Sequence, residues 1–172
     1  EIYTVEHTLS LHDALPIPSW DTLHVLIVHL PIALLLVAPI FLVLAMAVSV
    51  HRRAFALSAL ILMVLGTAAA FVAVSTGQAA GELADKTEAT MPVIEQHEEM
   101  GETTRNVFTA LTVLYALILF GPAVLKKELG AKAFVLTSAV YLVLYLVGVW
   151  GLINTGHLGG RLVHEFGIRA LM

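Results

Sequence analysis

Two histidines stand at the beginning of the first long apolar run, where lipid gives an imidazole few hydrogen-bonding partners. His24 and His29 lie in the stretch 20–31, just before Pro31. Imidazoles ligate metals and haem iron and exchange protons near neutral pH. Ionisable residues within membrane helices are usually functional and face the bundle interior. On an ideal helix, a spacing of five residues separates the two side chains by about 140°, so one straight helix cannot direct both to the same ligand.

Three further histidines follow in polar segments or at the ends of apolar runs. His97 stands among carboxylates, His157 lies between small residues, and His164 is followed by Glu165. Histidine ligands are commonly oriented by a second partner such as a carboxylate, which makes Glu98 and Glu165 candidates for that role. In order of preference, the candidate cofactor ligands are His29, His97, His157, His24 and His164.

The composition places these histidines in a membrane protein. Of 172 residues, 59% are hydrophobic and 13% are charged, whereas soluble domains carry roughly 25% charged residues. The chain contains no cysteine, which excludes disulfides, iron–sulfur ligation and thiolate metal sites. We therefore expect a single all-α integral membrane domain over residues 18–172, built as an antiparallel four-helix transmembrane bundle.

Four apolar stretches are long enough to cross a hydrocarbon core of about 30 Å. Because proline removes a helical hydrogen bond, Pro31 and Pro39 predict bends in the first span. The acidic segment 77–105 is predicted to be one long exposed connection, and a tail is expected from Asn154 onward. The predicted spans cover about 23–50, 54–76, 106–125 and 133–153.

The basic residues predict the orientation, because lysine and arginine concentrate in cytoplasmic loops. Five of the nine lie in the two short loops between spans, which we therefore expect to be cytoplasmic: Arg52, Arg53, Lys126, Lys127 and Lys132. The five candidate histidines then share the external side of a bacterial inner membrane. His51 lies on the cytoplasmic side.

Glycine-rich patterns end the second and fourth spans. The two patterns are similar, and a duplication that produced two related helical hairpins would explain the similarity. Two unrelated glycine-rich helix ends would explain it equally, and for the glycines alone we favour this second interpretation. The two patterns are Thr76-Gly77-x-x-Ala80-Gly81 and Thr155-Gly156-x-x-Gly159-Gly160.

Residues 1–17 resemble a translated sequencing-library adapter rather than a targeting signal. They contain no basic segment and no continuous apolar stretch of the kind that a secretory signal has. We expect them to be a non-native leader and exclude them from the fold.

From residue 20 to residue 172 the chain resembles a bacterial four-helix membrane family, catalogued as domain of unknown function 2231. The resemblance is carried by the pattern H-x-x-x-x-H-x-P-I-A-L from His24 onward, by the acidic segment with His97, and by Gly159-Gly160-x-Leu162-Val163-His164-Glu165-x-Gly167. Some members are joined to a Rieske iron–sulfur domain, which implies a redox setting. This chain lacks the Rieske ligands, so the resemblance implies a separate redox partner, such as a Rieske or cytochrome protein.

Two functions are compatible with these features. In the first, external histidines bind haem b, or a copper or zinc ion, for electron transfer, since a haem needs one or two axial imidazoles and an apolar slot. In the second, the chain is a structural or assembly subunit without a cofactor. No catalytic nucleophile, phosphate-binding loop or basic nucleic-acid patch is visible, so we expect the lipid bilayer as a partner, no nucleic acid, and no independent catalytic activity.

Overall fold

The computed structural model describes residues 20–127 and 130–168, with side chains described from Leu23 onward. The expectation that residues 1–17 are a non-native leader lies outside this part of the chain. Within it, the secondary structure consists of five α-helices and one short 3-10 helix, Ser49–His51, with no strand. The α-helices are α1 (Trp20–Ile27), α2 (His29–Ala47), α3 (Arg52–Leu83), α4 (Met91–Val124) and α5 (Ala131–His164).

Four segments are long and apolar enough to cross a membrane, namely Leu23–Ala47, Ser49–Leu83, Met91–Val124 and Ala131–His164. The predicted all-α membrane bundle is confirmed. The helices α2, α3, α4 and α5 form a ring in which each packs on its neighbours and α5 returns to α2. Successive long helices are antiparallel, so the beginnings of α2 and α4 lie at the same end as the ends of α3 and α5.

The prediction of a long exposed connection over 77–105 was wrong. Helix α3 continues to Leu83 and α4 already begins at Met91, so only residues 84–90 separate them. The tail expected from Asn154 is likewise helical as far as His164. Hydropathy marks where a chain leaves the lipid, whereas glutamate, glutamine, alanine and methionine are good helix formers and continue the helix beyond that point.

A threonine pair fixes the beginning of α4 and thereby the level of His97. The Thr87 N–H donates to Thr90 Oγ1 at 2.8 Å, and the Thr90 hydroxyl donates to the Asp85 carbonyl oxygen at 2.8 Å. Thr90 is buried. These bonds satisfy polar groups in the short connection and turn the chain back into the bundle.

The first span is interrupted near Pro31. Helix α1 ends at Ile27 and α2 begins at His29, with a turn at Val28 between them. Proline has no N–H to donate to the carbonyl four residues earlier, and its ring crowds that carbonyl, here the one of Ile27. Val28 keeps helical backbone angles, and its N–H still donates to the His24 carbonyl oxygen at 3.0 Å, so the interruption is slight. Helix α1 has fewer neighbours than α2. It packs on α3 but makes no close backbone contact with α4 or α5 among the described residues.

The second proline, Pro39, lies inside α2 and leaves the Leu35 carbonyl oxygen without its helical donor. Tyr145 replaces that donor, because its hydroxyl donates to the Leu35 oxygen at 2.9 Å. Leu35 and Tyr145 are both fully buried. One hydrogen bond thus ties α5 to α2 in the core and satisfies a main-chain group that lipid would leave unpaired.

Tyr145→Phe should lower the free energy of unfolding by about 1–3 kcal/mol, because it leaves the buried Leu35 carbonyl without a donor. Tyr115→Phe is the matched control, since the Tyr115 hydroxyl is buried without a hydrogen-bond partner. Its removal should cost nothing or stabilise the protein slightly. Equilibrium unfolding in mixed micelles measures both. An equal loss from the two variants would contradict this account of Pro39.

Candidate functional site

A cavity of about 460 Å³ opens at the end of the bundle where α1 and α4 begin. We call it the histidine cavity. Its walls come from α1, the beginning of α2, α3, α4 and α5, and most of its lining is apolar. Helix α1 packs on α3 and makes no close backbone contact with α5 among the described residues. The charged or titratable side chains that line it are His24, His29, His97, Glu98, Arg105 and His164.

His24 projects from α1 towards α3. Its Nδ1 donates to the Ala73 carbonyl oxygen at 2.9 Å and lies 3.2 Å from Thr76 Oγ1. A carbonyl oxygen only accepts hydrogen bonds, so Nδ1 carries the hydrogen in the neutral ring and Nε2 keeps its lone pair. The half-buried His24 is therefore oriented by main chain and has an acceptor nitrogen to offer.

His97 is held in the same way by the second helical hairpin, α4–α5, whereas His24 belongs to the first, α1–α3. It projects from α4, and its Nδ1 donates to the Thr155 carbonyl oxygen on α5 at 3.1 Å. Thr155 is itself fixed, because its hydroxyl pairs with that of Thr104 at 2.9 Å. The Nε2 atom of His97 again carries the lone pair in the neutral ring. Each hairpin thus supplies one oriented imidazole.

A glycine follows each accepting carbonyl by four residues and leaves room for the ring. A Cβ atom added at Gly77 would lie 2.8 Å from His24 Cε1, and one added at Gly159 would lie 3.0 Å from His97 Cε1. Gly77 follows Ala73, and Gly159 follows Thr155. The same device therefore occurs twice: a carbonyl on one helix holds Nδ1, and a glycine one turn later lets the imidazole lie against the backbone.

The two glycine-rich sequence patterns align different glycines from those that occupy equivalent positions in the structure, and the difference is about one helical turn. The sequence patterns pair Gly77 with Gly156, whereas the structure pairs Gly77 with Gly159. A Cβ at Gly156 would meet nothing within 4 Å. The glycines do not end their helices, since α3 continues to Leu83 and α5 to His164. Interpreting them as helix terminators was therefore wrong.

His24 and His97 face each other from the two hairpins. Their ring centroids are 6.3 Å apart and their planes are inclined by 77°. The sequence analysis ranks His29 above His24 as a candidate ligand. The structure instead puts His24 opposite His97.

The other candidate residues are distributed around this pair. His29 and His164 are exposed and line the outer part of the cavity, whereas His157 is exposed and outside its lining. Glu98 is half-buried against Gly81. Glu165, which was expected to support His164, forms an ion pair with Arg161 at 3.0 Å instead.

The arrangement offers two nitrogen donors rather than a closed metal cage. Among the described residues, no group of three or more histidine, cysteine, aspartate or glutamate side chains is placed to hold a metal ion. Structural zinc sites use four protein ligands and catalytic ones three. The described residues thus bring two oriented imidazoles together but not a set of three or four ligands.

Sequence reasoning did not find the groups that hold the histidines. The Ala73 and Thr155 acceptors are main-chain atoms, and any residue could supply them. The sequence signal for these segments was the pair of similar glycine-rich patterns on α3 and α5. It aligned Gly77 with Gly156, whereas in the structure Gly77 corresponds to Gly159.

The fold and the site define a four-span membrane protein with a histidine-lined cavity at one end, in which His24 and His97 face each other. Residues 20–171 match the family model described as "Predicted membrane protein (DUF2231)". The chain belongs to this family. No curated protein and no solved structure matches it.

Gly77→Ala should destabilise the protein by at least about 1 kcal/mol, because the new methyl group displaces an anchored ring. Gly156→Ala, at the position that the sequence patterns align with Gly77, should be neutral or stabilise by up to about 1 kcal/mol through helix propensity. Thermal unfolding in micelles compares the two variants. The side-chain ¹⁵N signals of His24 should shift in Gly77→Ala and should not shift in Gly156→Ala. A neutral Gly77→Ala would show that the ring is not held against this backbone.

Proposed function

We propose that the histidine cavity binds haem b, with His24 and His97 as axial ligands, and that the protein passes electrons to a partner. The observation that carries this proposal is the opposed pair of imidazoles, each anchored through Nδ1 on a main-chain carbonyl. This is the usual arrangement of a metal-ligating histidine, whose second nitrogen donates to a carbonyl or carboxylate.

The separation of the two rings supports the same conclusion. Two iron–nitrogen bonds of about 2 Å each, with about 1 Å from each ligating nitrogen to its ring centre, separate axial imidazole centroids by about 6 Å. The His24 and His97 centroids are 6.3 Å apart. Rotation about the iron–nitrogen bonds leaves the ligand planes free to be inclined, so the angle of 77° is compatible with axial ligation.

The surroundings of the pair also suit a flat apolar group. The cavity volume of about 460 Å³ is within the range of 300–1,000 Å³ typical of ligand pockets. Its lining is mostly aliphatic, with glycine and alanine on α3 and α5. Sites of this kind are commonly built in bundle cores from side chains on facing helices.

When bound, haem would supply a one-electron redox centre at this end of the bundle. The chain's own groups hold the ring nitrogens in place and tune their basicity, since a carbonyl acceptor at Nδ1 makes Nε2 a stronger donor. The apolar walls limit access of water, which is one of the factors that set a redox potential. His29 and His164 also line the cavity and are exposed.

The proposed orientation puts the histidine cavity on the external side of a bacterial inner membrane. The basic residues of the two short loops support it, because they gather at the opposite end of the bundle. A redox partner, such as a Rieske or cytochrome protein, would then approach the cavity from outside the cell membrane.

The alternative function, a structural or assembly subunit without a cofactor, has one observation in its favour. The two Nδ1 bonds join helices within each hairpin, α1 to α3 and α4 to α5. Histidines that only clamp helices would need nothing beyond these bonds. The two functions differ in the role of Nε2. Haem ligation requires its lone pair, whereas a purely structural histidine needs only the hydrogen bond from Nδ1.

Protein purified from haem-replete cells should show the Soret band and the reduced α and β bands of a six-coordinate low-spin haem b. His24→Ala and His97→Ala should each abolish the low-spin spectrum, because each removes one axial ligand. Added imidazole should restore it in at least one of them. His157→Ala is the matched control, because His157 lies outside the cavity lining, and it should keep the wild-type spectrum.

Circular dichroism and gel filtration establish that each variant is folded. A colourless preparation from haem-replete cells would overturn the proposal and favour the structural alternative. A low-spin spectrum that persists in folded His24→Ala would remove His24 as an axial ligand. A spectrum lost only in His29→Ala would support the ligand that sequence reasoning preferred.

A further inference from the structure

A second concave surface lies outside the histidine cavity, on the seam between α3 and α4. It is an open groove of about 570 Å³ on the lipid-facing side of the bundle. We call it the seam groove. Its principal lining residues are Phe71, Asn106, Thr109, Val113, Leu114 and Leu117.

The seam groove changes from polar to apolar along its length. Asn106 and Thr109 lie at the end nearer the histidine cavity, and the lining beyond them is aliphatic. Val113 and Leu117 are 55% and 62% exposed. An extended hydrocarbon could therefore lie along α4, with a polar group beside Asn106.

Arg105 precedes Asn106 on α4 and contacts two residues that line the polar end of the groove, although it does not itself line it. Its guanidinium lies 5.2 Å from the centre of the Phe71 ring, and its Nε donates to Asn106 Oδ1 at 3.1 Å. Among the described residues, the one salt bridge joins Arg161 to Glu165, so Arg105 has no carboxylate partner there. Its two terminal nitrogens remain available to an anion, and guanidinium suits phosphate in particular.

The position of Arg105 along α4 matches the boundary of the hydrocarbon core. It is the last charged residue of this helix, and residues 106–124 carry none. From Asn106 to Leu117 the helix rises by about 16 Å. One leaflet of a bilayer contributes about 15 Å of hydrocarbon, so the groove is as long as one leaflet is thick.

We propose that the seam groove is a binding site for an anionic phospholipid, with the phosphate at Arg105 and one acyl chain along α4. Three observations agree: a guanidinium that has no carboxylate partner among the described residues, a polar-to-apolar gradient and a length of one leaflet. A lipid without a compensating ammonium group, such as phosphatidylglycerol, fits the charge best. This proposal is independent of haem binding, although Arg105 also borders the histidine cavity.

Native mass spectrometry of the full chain, titrated with phosphatidylglycerol or phosphatidylcholine, tests the site. The wild type should prefer phosphatidylglycerol, and Arg105→Gln should lower that preference by about fivefold, the effect of one basic residue near a membrane surface. Arg53→Gln is the matched control, because Arg53 is exposed at the opposite end of the bundle. It should retain the preference.

A second variant tests the hydrocarbon part of the groove separately. Ala110→Phe fills it without touching Arg105, since Ala110 is exposed and lines the seam. It should weaken binding of phosphatidylglycerol, whereas inorganic phosphate should compete poorly in the wild type. Circular dichroism confirms that each variant is folded.

Three outcomes would overturn the proposal. Equal lipid preference in wild type and Arg105→Gln would remove the headgroup site. Unchanged binding in Ala110→Phe would show that no chain occupies the groove. Effective competition by inorganic phosphate alone would show that the site recognises a free anion rather than a lipid.

Discussion

The second lone pair of helix carbonyl oxygens is the feature on which this bundle depends. In lipid, a buried polar side chain must find its partner within the protein, and a carbonyl that already accepts a helical hydrogen bond can accept one more. The Ala73 and Thr155 carbonyls hold the two imidazoles in this way. The Leu111 carbonyl accepts the Tyr141 hydroxyl at 3.0 Å. At Leu35, where Pro39 removed the helical donor, a tyrosine is the replacement. Main chain, rather than paired charges, therefore satisfies the polar groups named here and fixes where they point.

That constraint explains why glycine accompanies each histidine. A ring can reach a carbonyl on a neighbouring helix only if the backbone one turn further on carries no Cβ in its way. Gly77 and Gly159 meet this requirement, one in each hairpin. Both hairpins have a carbonyl acceptor followed four residues later by a glycine. Each therefore directs one imidazole into the histidine cavity, and the two rings face each other there. Helix α1 completes the arrangement, since it packs on α3 and makes no close backbone contact with α5 among the described residues.

The sequence predicted the number of spans, because long uncharged apolar runs have few alternatives to crossing a membrane. It did not predict the helix ends: the polar turns from Gly77 to Leu83 and from Met91 to Arg105 are helical, with their carboxylates largely on exposed faces. The cluster of histidines at one end followed from span counting. Which of His24 and His29 faces His97 did not follow, because the packing of α1 on α3 decides it. The spacing argument did show that one straight helix could not turn both histidines towards one ligand.

The remaining polar side chains of the core show where chemistry can occur. Thr67 pairs with Thr112 at 2.9 Å near the middle of the bundle, and Thr104 pairs with Thr155 nearer the cavity. Such pairs join neighbouring helices through one hydroxyl–hydroxyl hydrogen bond each. Tyr115 and Ser138 keep unpartnered oxygens, but a neutral hydroxyl is a poor ligand for iron. The Nε2 atoms of His24 and His97 combine an available lone pair with an orientation imposed by main chain. In the proposed function, these two nitrogens are the axial ligands of a cofactor held between the two hairpins.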